Sequence, residues 1–487
     1  MNPEVPQRRS IPWVALAAVT GVFLLHGITL CRAVYPWGDE VMHVDPGANW
    51  ALGHGFTSTA WTFQDAHAFF SGYPPLHAFV VGVFLRLWGF GMLQARLPAL
   101  LAAWAGTLVV VSCSAACGML TRRSSQLAVG LTLAGCYSLM FLHQANRPDA
   151  IGFLVASVGF AGATLKARGP RVVVLFLSSF GLPWYGIQAG VALAAAGIMV
   201  LGLHRRRFFP EVVAAFAGAG LGAAAVFALF AHHGTLGDFL AHVSQRSAGW
   251  RHGQSLERMI RGSMGAFKDP TLLATWGVLL AAAIRGEGDG VRRLARHGVA
   301  FSACLCACLF AAAHIGIYYG WIFLVPAVVA WGALWERFQV RPWWWAAPLA
   351  VSLVFCAALK FVAFADWDAR DYSRIIATAR AAVPPGSIVA ATHGPYYAIK
   401  PTAGRLYLPY FFPRLSAAER SQVEWIVSEK ESAQVMMREF PGEWVLVAES
   451  PPGSRLLPAS PNSMFFYVSD LTVWRRVKVA VSAEGAR

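Results

Sequence analysis

Apolar runs of about 20 residues recur from residue 11 to residue 363, and no other feature constrains the fold of this chain as strongly. A helix rises about 1.5 Å per residue, so about 20 residues cross a hydrocarbon core of about 30 Å with every backbone group bonded internally. The chain is therefore read as a polytopic α-helical membrane protein. Its composition agrees: 56% of the 487 residues are hydrophobic and 13% are charged, whereas soluble domains carry about 25% charge. The net charge of +15 is assigned to cytoplasmic loops and lipid headgroups, because no arginine-rich arm with interleaved aromatics argues for nucleic acid.

Basic residues orient the runs. Arg8 and Arg9 precede the run 11–31, which is too long for a signal-peptide core and lacks a small-residue cleavage site. It reads as an uncleaved first helix with its N-terminus in the cytoplasm. Residues 32–73 hold one base, Arg32, against Asp39, Glu40, Asp45 and Asp65, which places them outside. There Asp45 and Pro46 read as a helix start, with proline just inside an aspartate cap, leading a short interfacial helix through Leu52. The run 76–90 is short and interrupted by Arg86. Laying it in the interface, within a first external loop at 32–92, puts every later basic cluster inside. Those clusters are Arg122 and Arg123; Lys166, Arg168 and Arg171; Arg205, Arg206 and Arg207; Arg285, Arg292, Arg293 and Arg296; and Arg337 with Arg341. Runs at 93–120, 126–143, 150–165, 172–183, 186–203, 212–230, 271–284, 299–317, 319–335 and 343–363 bring the total to about eleven spans. A basic external loop lies at 232–270, and the C-terminus is outside.

The transmembrane part is thus expected over 1–364 and a small α/β domain over 365–487. In the latter, helices are expected at 372–382 and 417–431, and strands at 387–391, 444–448 and 464–468. All eight cysteines fall within or at the edge of apolar runs, so no disulfide framework holds the C-terminal part. Cys304, Cys306 and Cys308 fall on different faces of a helix, which argues against a metal cluster. No phosphate-binding glycine loop or zinc motif is present.

Chemistry concentrates at two places. Asp39 and Glu40 are adjacent carboxylates at the mouth of a membrane segment, where charge is costly. Their bland reading is a pair of solvated acids in the first turn of a following helix, favoured by its dipole. The orientation puts them on the same face as Arg147 and Asp149 and the loop 232–270. Two acids from separate loops suit an enzyme in which one deprotonates a hydroxyl or amine while the other positions it, directly or through a cation. Arg246, Arg251, Arg258, Arg261 and Lys268 suit a phosphate leaving group, or equally a headgroup-binding loop. Arg147 is the stronger candidate; its alternative is a plain salt bridge with Asp149. His43, His54 and His67 make a conceivable metal set with Asp45, but are read as surface histidines. Trp37, Trp50 and Trp61 serve either sugar stacking or interfacial anchoring. Tyr318 and Tyr319 line a donor groove or mark the membrane boundary.

The order of motifs is more specific than any one of them. After a first helix come Gly38-Asp39-Glu40, then Tyr73-Pro74-Pro75-Leu76, then Arg96-Leu97-Pro98-Ala99-Leu100-Leu101 opening a span, then Asn146-Arg147-Pro148-Asp149-Ala150 between two spans. This order resembles the GT-C class of glycosyltransferases, in particular the family 39-like group of protein O-mannosyltransferases and lipid A aminoarabinose transferase. The motifs cover roughly the first two hundred residues; the remainder matches by layout. The resemblance implies an inverting transferase that takes a sugar from a polyprenyl-phosphate or polyprenyl-diphosphate donor at the outer face of the bacterial cytoplasmic membrane. It implies that Asp39 is the catalytic base, that Glu40 is its partner, and that Asp149 positions the acceptor or a divalent cation such as Mg or Mn. Asp39 and Asp149 would be the ligands of such a cation. Tyr73 and His77 stand where donor phosphate would be met, and the acceptor, whether glycan, lipid or protein, is not indicated. Two other classes are weighed against it: a transporter or flippase for a lipid-linked sugar, expected to carry mid-span ionisable residues and paired broken helices, and a non-catalytic subunit whose C-terminal domain binds envelope polymer.

Overall fold

The apolar runs fold as helices, and the polar stretches between them carry more structure than their composition suggests. The computed structural model describes residues 11–62, 64–186, 190, 192–193, 196–197, 199–200, 205–252, 266–286, 288–311, 316–336, 343–450 and 470–477. By their packing the residues fall into two units, Met1–Leu30 with Phe69–Val81 and Arg96–Lys360, and Cys31–Ala68 with Gly82–Ala95 and Phe361–Arg487.

The first unit is helical. It contains α1 (Trp13–Ile28), the start of α3 (Leu76–Trp88), most of α4 (Met92–Ala116), α5 (Arg123–Gly135), α6 (Tyr137–Gln144), α7 (Asp149–Thr164) and α8 (Arg168–Gly181). The helices Phe209–His232, Leu236–His252, Pro270–Arg285, Asp289–Ala311, Trp321–Trp335 and most of Ala347–Ala365 follow. Among the described residues, Met92–Ala116, Phe209–His232, Asp289–Phe310 and Trp343–Ala365 are long and apolar enough to cross a membrane, and the bent pair α5–α6 makes a fifth. The core gathers Trp331, Trp345, Phe323, Tyr185 and Phe153, all nearly inaccessible.

Three expectations are corrected here. The run 126–143 is not one helix: it breaks at Cys136, whose extended backbone (φ −69°, ψ 145°) leaves α5 and α6 bent by 49°. The cause is remote. Asp269, itself fully buried, accepts from the Ser138 N–H at the start of α6 (2.8 Å) and from the Thr271 N–H at the start of Pro270–Arg285 (2.9 Å). One carboxylate thus caps two helices and faces two positive helix ends. Replacing it strands two buried donors, so Asp269→Ala is expected to destabilise the protein by about 2–4 kcal/mol. Asp269→Asn, which keeps one acceptor oxygen, should lose less, as chemical unfolding in detergent would show. Second, the loop expected at 232–270 contains the helix Leu236–His252, anchored by Phe239 against Val226 and Phe230. Third, Arg292, Arg293 and Arg296 belong to a helix that begins at Asp289, where Arg292 pairs with Asp289 at 2.7 Å, rather than to a loop before residue 299. Both helices begin in polar sequence that an apolar-run criterion passes over.

The second unit is built on a five-stranded sheet ordered β2-β1-β3-β5-β4. The strands are β1 (Ile388–Ala391), β2 (Arg405–Tyr407), β3 (Trp425–Ser428), β4 (Trp444–Ser450) and β5 (Leu471–Arg476). β1 is parallel to β2 and β3, pairing Val389 with Leu406 and with Trp425, while β5 runs antiparallel to β3 and β4. The helix Tyr372–Ala382 and strands β1 and β4 lie where the sequence places them. The expected helix 417–431 stops at Gln422: a capping box from Ser416 and Glu419 starts it, but Trp425, Ile426 and Val427 form the buried strand β3 instead. β-branched and aromatic residues suit a pleated, buried surface. The strand expected at 464–468 lies outside the described residues.

The first-loop helix is also corrected. α2 spans Gly38–Ala51, so it begins seven residues before Asp45 and carries Pro46 inside. Asp45 is no cap. Its Oδ2 accepts from the Ser58 hydroxyl and the Thr59 N–H (both 2.9 Å), and its Oδ1 from the Tyr396 hydroxyl (2.9 Å) and Lys400 Nζ (2.6 Å). These bonds hold the residue preceding the proline and offset the helical bond that the proline removes.

Candidate functional site

In the helical unit the corner between α6 and α7 collects six of the expected site residues. Asn146 takes a positive φ of 46° and turns the chain, and the Arg147 N–H donates back to the Leu142 carbonyl at 2.8 Å. Arg147 Nε then donates to Asp149 Oδ2 at 3.2 Å, with both side chains almost wholly buried. The guanidinium lies 3.8 Å from the centroid of the Tyr318 ring, which meets Tyr319 edge-on at 4.5 Å. His77, 1% exposed, sits within reach of Arg147 and the Asn146 backbone. Tyr73 and Tyr185, both buried, complete the group near Asp149 and Tyr319. Tyr185 also lines a largely apolar cavity of about 590 Å³, with Val155, Phe160, Leu175, Val212 and Trp321.

Several residues here were not named as site candidates from the sequence. His143, Gln144 and Asn146 are fully buried, and none of their side-chain nitrogens or oxygens has a hydrogen-bond partner among the described residues. Buried polar atoms are rarely left so. Their signal was a polar string, His143 to Asp149, set between two apolar runs. Lys360, a lone lysine in the last apolar run, is buried and donates to the Thr29 hydroxyl at 2.6 Å; the His26 and His143 rings stand 4.8 Å apart.

In the second unit Asp39 and Glu40 occupy the first turn of α2, where the helix dipole favours them. They differ in setting. Glu40 is fully buried and accepts from the Tyr397 hydroxyl at 2.9 Å, whereas Asp39 is half-buried. The residues that hold this turn come from the segment after β1, His393 to Lys400, where no site was expected. Gly38 is required by that approach: a Cβ there would stand 2.8 Å from Tyr410 Cε2 and 3.2 Å from His393 Cε1. Burial holds the His393 pKa down at about 4, with Asp39 opposing. Burial likewise pushes the Glu429 carboxyl up, against hydrogen bonds with Thr392 and Tyr35.

Other expected residues are placed less fully. Arg246 and Arg251 lie on the helix Leu236–His252, Lys268 is exposed in the turn Ala266–Lys268, and Arg258 and Arg261 fall outside the described residues. His54 and His67 are surface residues as expected, but His43 is buried and faces Trp61 at 6.2 Å. Among the described residues no three histidine, cysteine or acidic side chains are placed to hold a metal. The carboxylates of Glu40, Asp45 and Asp149 are taken by Tyr397, by Tyr396 with Lys400, and by Arg147.

A many-helix membrane unit with a small sheet-containing α/β domain is the arrangement of the GT-C fold. No family model matches the chain, and no curated relative matches it. Solved structures do. ArnT from Cupriavidus metallidurans in the apo state is 12% identical with a TM-score of 0.58, and the same protein bound to undecaprenyl phosphate is 13% identical with a TM-score of 0.60. Both alignments cover 96% of this chain and 98% of the other. The Archaeoglobus fulgidus oligosaccharyltransferase, solved in complex with Zn and sulfate, is 10% identical with a TM-score of 0.51 over 87% of this chain and 68% of that one. At such identities the likeness is one of fold. The chain is an integral membrane protein of GT-C fold.

Proposed function

We propose that the protein is an inverting glycosyltransferase that moves a sugar from a polyprenyl-phosphate or polyprenyl-diphosphate donor to an acceptor at the outer face of the cytoplasmic membrane. The observation that carries this reading is the apolar cavity of about 590 Å³ that shares Tyr185 with the buried Arg147–Asp149 corner. An isoprenoid tail suits the cavity, and a phosphate suits a guanidinium already held against an aromatic ring. The unpartnered amides of Gln144 and Asn146 offer the donor and acceptor groups that sugar hydroxyls require. ArnT, which shares the fold, has been solved with undecaprenyl phosphate bound.

Asp39 is the proposed general base. It takes the proton from the acceptor hydroxyl or amine, whose oxygen or nitrogen then bonds to the anomeric carbon. The bond from that carbon to the phosphate oxygen breaks, and its electron pair leaves on the phosphate. Arg147 neutralises the developing charge, so no strong general acid is needed. A single displacement of this kind inverts the anomeric centre. Asp149 orients Arg147 through their ion pair. Tyr73, His77, Tyr318 and Tyr319 line the phosphate end, and Arg246, Arg251 and Arg258 are carried as further phosphate or headgroup contacts.

The test uses the full chain in lipid nanodiscs with undecaprenyl-phosphate-linked hexoses and pentoses, and a membrane lipid and glycan extract as acceptor source. Release of undecaprenyl phosphate with transfer of the sugar is expected. Movement of the intact lipid-linked sugar across a vesicle bilayer without such release would overturn the reading in favour of a flippase.

A further inference from the structure

The helix Asp289–Ala311 changes character at one point. Its first turns hold Asp289, Arg292, Arg293, Arg296 and His297, and from Gly298 to Ala311 it carries no charged side chain. Such a boundary marks the level at which a helix enters the bilayer, here on the face that the basic residues assign to the cytoplasm. Two guanidiniums stand unused there. Arg292 pairs with Asp289 at 2.7 Å, whereas Arg293 and Arg296 are exposed and make no hydrogen bond or ion pair among the described residues.

A second cavity opens beside them. It holds about 900 Å³, is largely apolar, and lies between this helix, α4, α7 and Trp321–Trp335. Phe153, Phe301, Val325, Val329 and Ala333 form its walls, and His297 belongs both to it and to the groove lined by Arg292, Arg293 and Arg296. The carboxylate in its lining, Glu336, is already engaged. It accepts from the Arg122 N–H (2.7 Å) and the Thr121 hydroxyl (2.6 Å), and also from the Thr121 N–H and the Ser125 hydroxyl. Its charge serves the start of α5, where a helix dipole favours an anion.

We infer that this is a binding site for an anionic phospholipid, whose phosphodiester lies against Arg293, Arg296 and His297 and whose acyl chains enter the cavity. Charge and shape select that class together. Uncompensated cations at a membrane surface attract anionic lipid, and basic pockets between helices on the cytoplasmic side suit such headgroups. A soluble phosphate would make no use of the apolar walls, and a zwitterionic lipid would bring no net charge to the two arginines. The volume stands near the top of the range of about 300–1,000 Å³ common for ligand pockets, more than a headgroup alone requires. Phe160, Phe301 and Trp321 line both cavities, so chains in the second brace one wall of the first. The site does not depend on the proposed transfer reaction.

The test uses the full chain in detergent micelles with phosphatidylglycerol that carries a photoactivatable group on one acyl chain. Label is expected on peptides from Asp289–Ala311 and Trp321–Trp335, and an excess of plain phosphatidylglycerol, but not of phosphatidylcholine, should remove it. Arg293→Gln combined with Arg296→Gln is expected to weaken phosphatidylglycerol binding about 25-fold, about fivefold for each cation lost. Ala333→Trp, which fills the cavity and leaves every charge in place, is expected to abolish the label. Label spread evenly over the apolar helices, equal competition by phosphatidylcholine, or an Ala333→Trp protein that keeps its label overturns the inference. So does a double variant that binds within about twofold of the natural protein. Undecaprenyl phosphate that displaces the label better than phosphatidylglycerol also overturns it and gives the cavity to an isoprenoid. If Ala333→Trp does not fold, the position of the label on the natural protein and its loss from the arginine double variant decide in the same terms.

Discussion

Asp39→Asn is expected to lower sugar transfer by about a thousand-fold, the size of effect a lost general base produces, with the protein folded and donor binding intact. Asparagine keeps the shape of the side chain but cannot take the acceptor's proton. Glu40→Gln should cost much less, because Glu40 is buried against the Tyr397 hydroxyl and an amide oxygen accepts that bond as well. The contrast matters because both acids sit in the first turn of α2. If they served only the helix dipole, each neutralisation would cost about 0.3–1 kcal/mol of stability and leave transfer untouched. Transfer kinetics beside unfolding curves for the two variants therefore decide between the readings, and equal activity in both would end the catalytic assignment.

The second large effect is expected at Arg147. Arg147→Ala leaves the Asp149 carboxylate buried without its ion-pair partner, and such a loss costs about 3–5 kcal/mol. The double variant Arg147→Met with Asp149→Leu removes both charges and should be less destabilised than Arg147→Ala alone. Chemical unfolding in detergent micelles measures this. Undecaprenyl phosphate should raise the unfolding midpoint of the natural protein and leave that of the double variant unmoved. A double variant that is as unstable as Arg147→Ala would show that packing, rather than charge, dominates the corner.

Hydropathy made the helices legible, with boundaries mostly within a few residues, because lipid leaves a chain few ways to satisfy its backbone. What it hid was set by distant partners. The break at Cys136 depends on Asp269, 131 residues away, and no local pattern reports a cap of that kind. The start of α2 was missed because Asp45 and Pro46 make a plausible cap, while its bonds to Ser58, Thr59, Tyr396 and Lys400 use the carboxylate elsewhere. The polar corner was half legible. Arg147 and Asp149 stood out by motif, while Gln144 and Asn146 looked like ordinary loop residues until their burial was seen.

The bond between Tyr396 and Asp45 joins residues 351 positions apart. A ribosome therefore finishes nearly the whole membrane-embedded part before the partner of Asp45 exists. Until then Glu40 lacks the Tyr397 hydroxyl, and Asp45 lacks Tyr396 and Lys400. Long-range closure of this sort comes late in folding. On the proposed role of Asp39, transfer activity is expected to appear only once the last quarter of the chain is made.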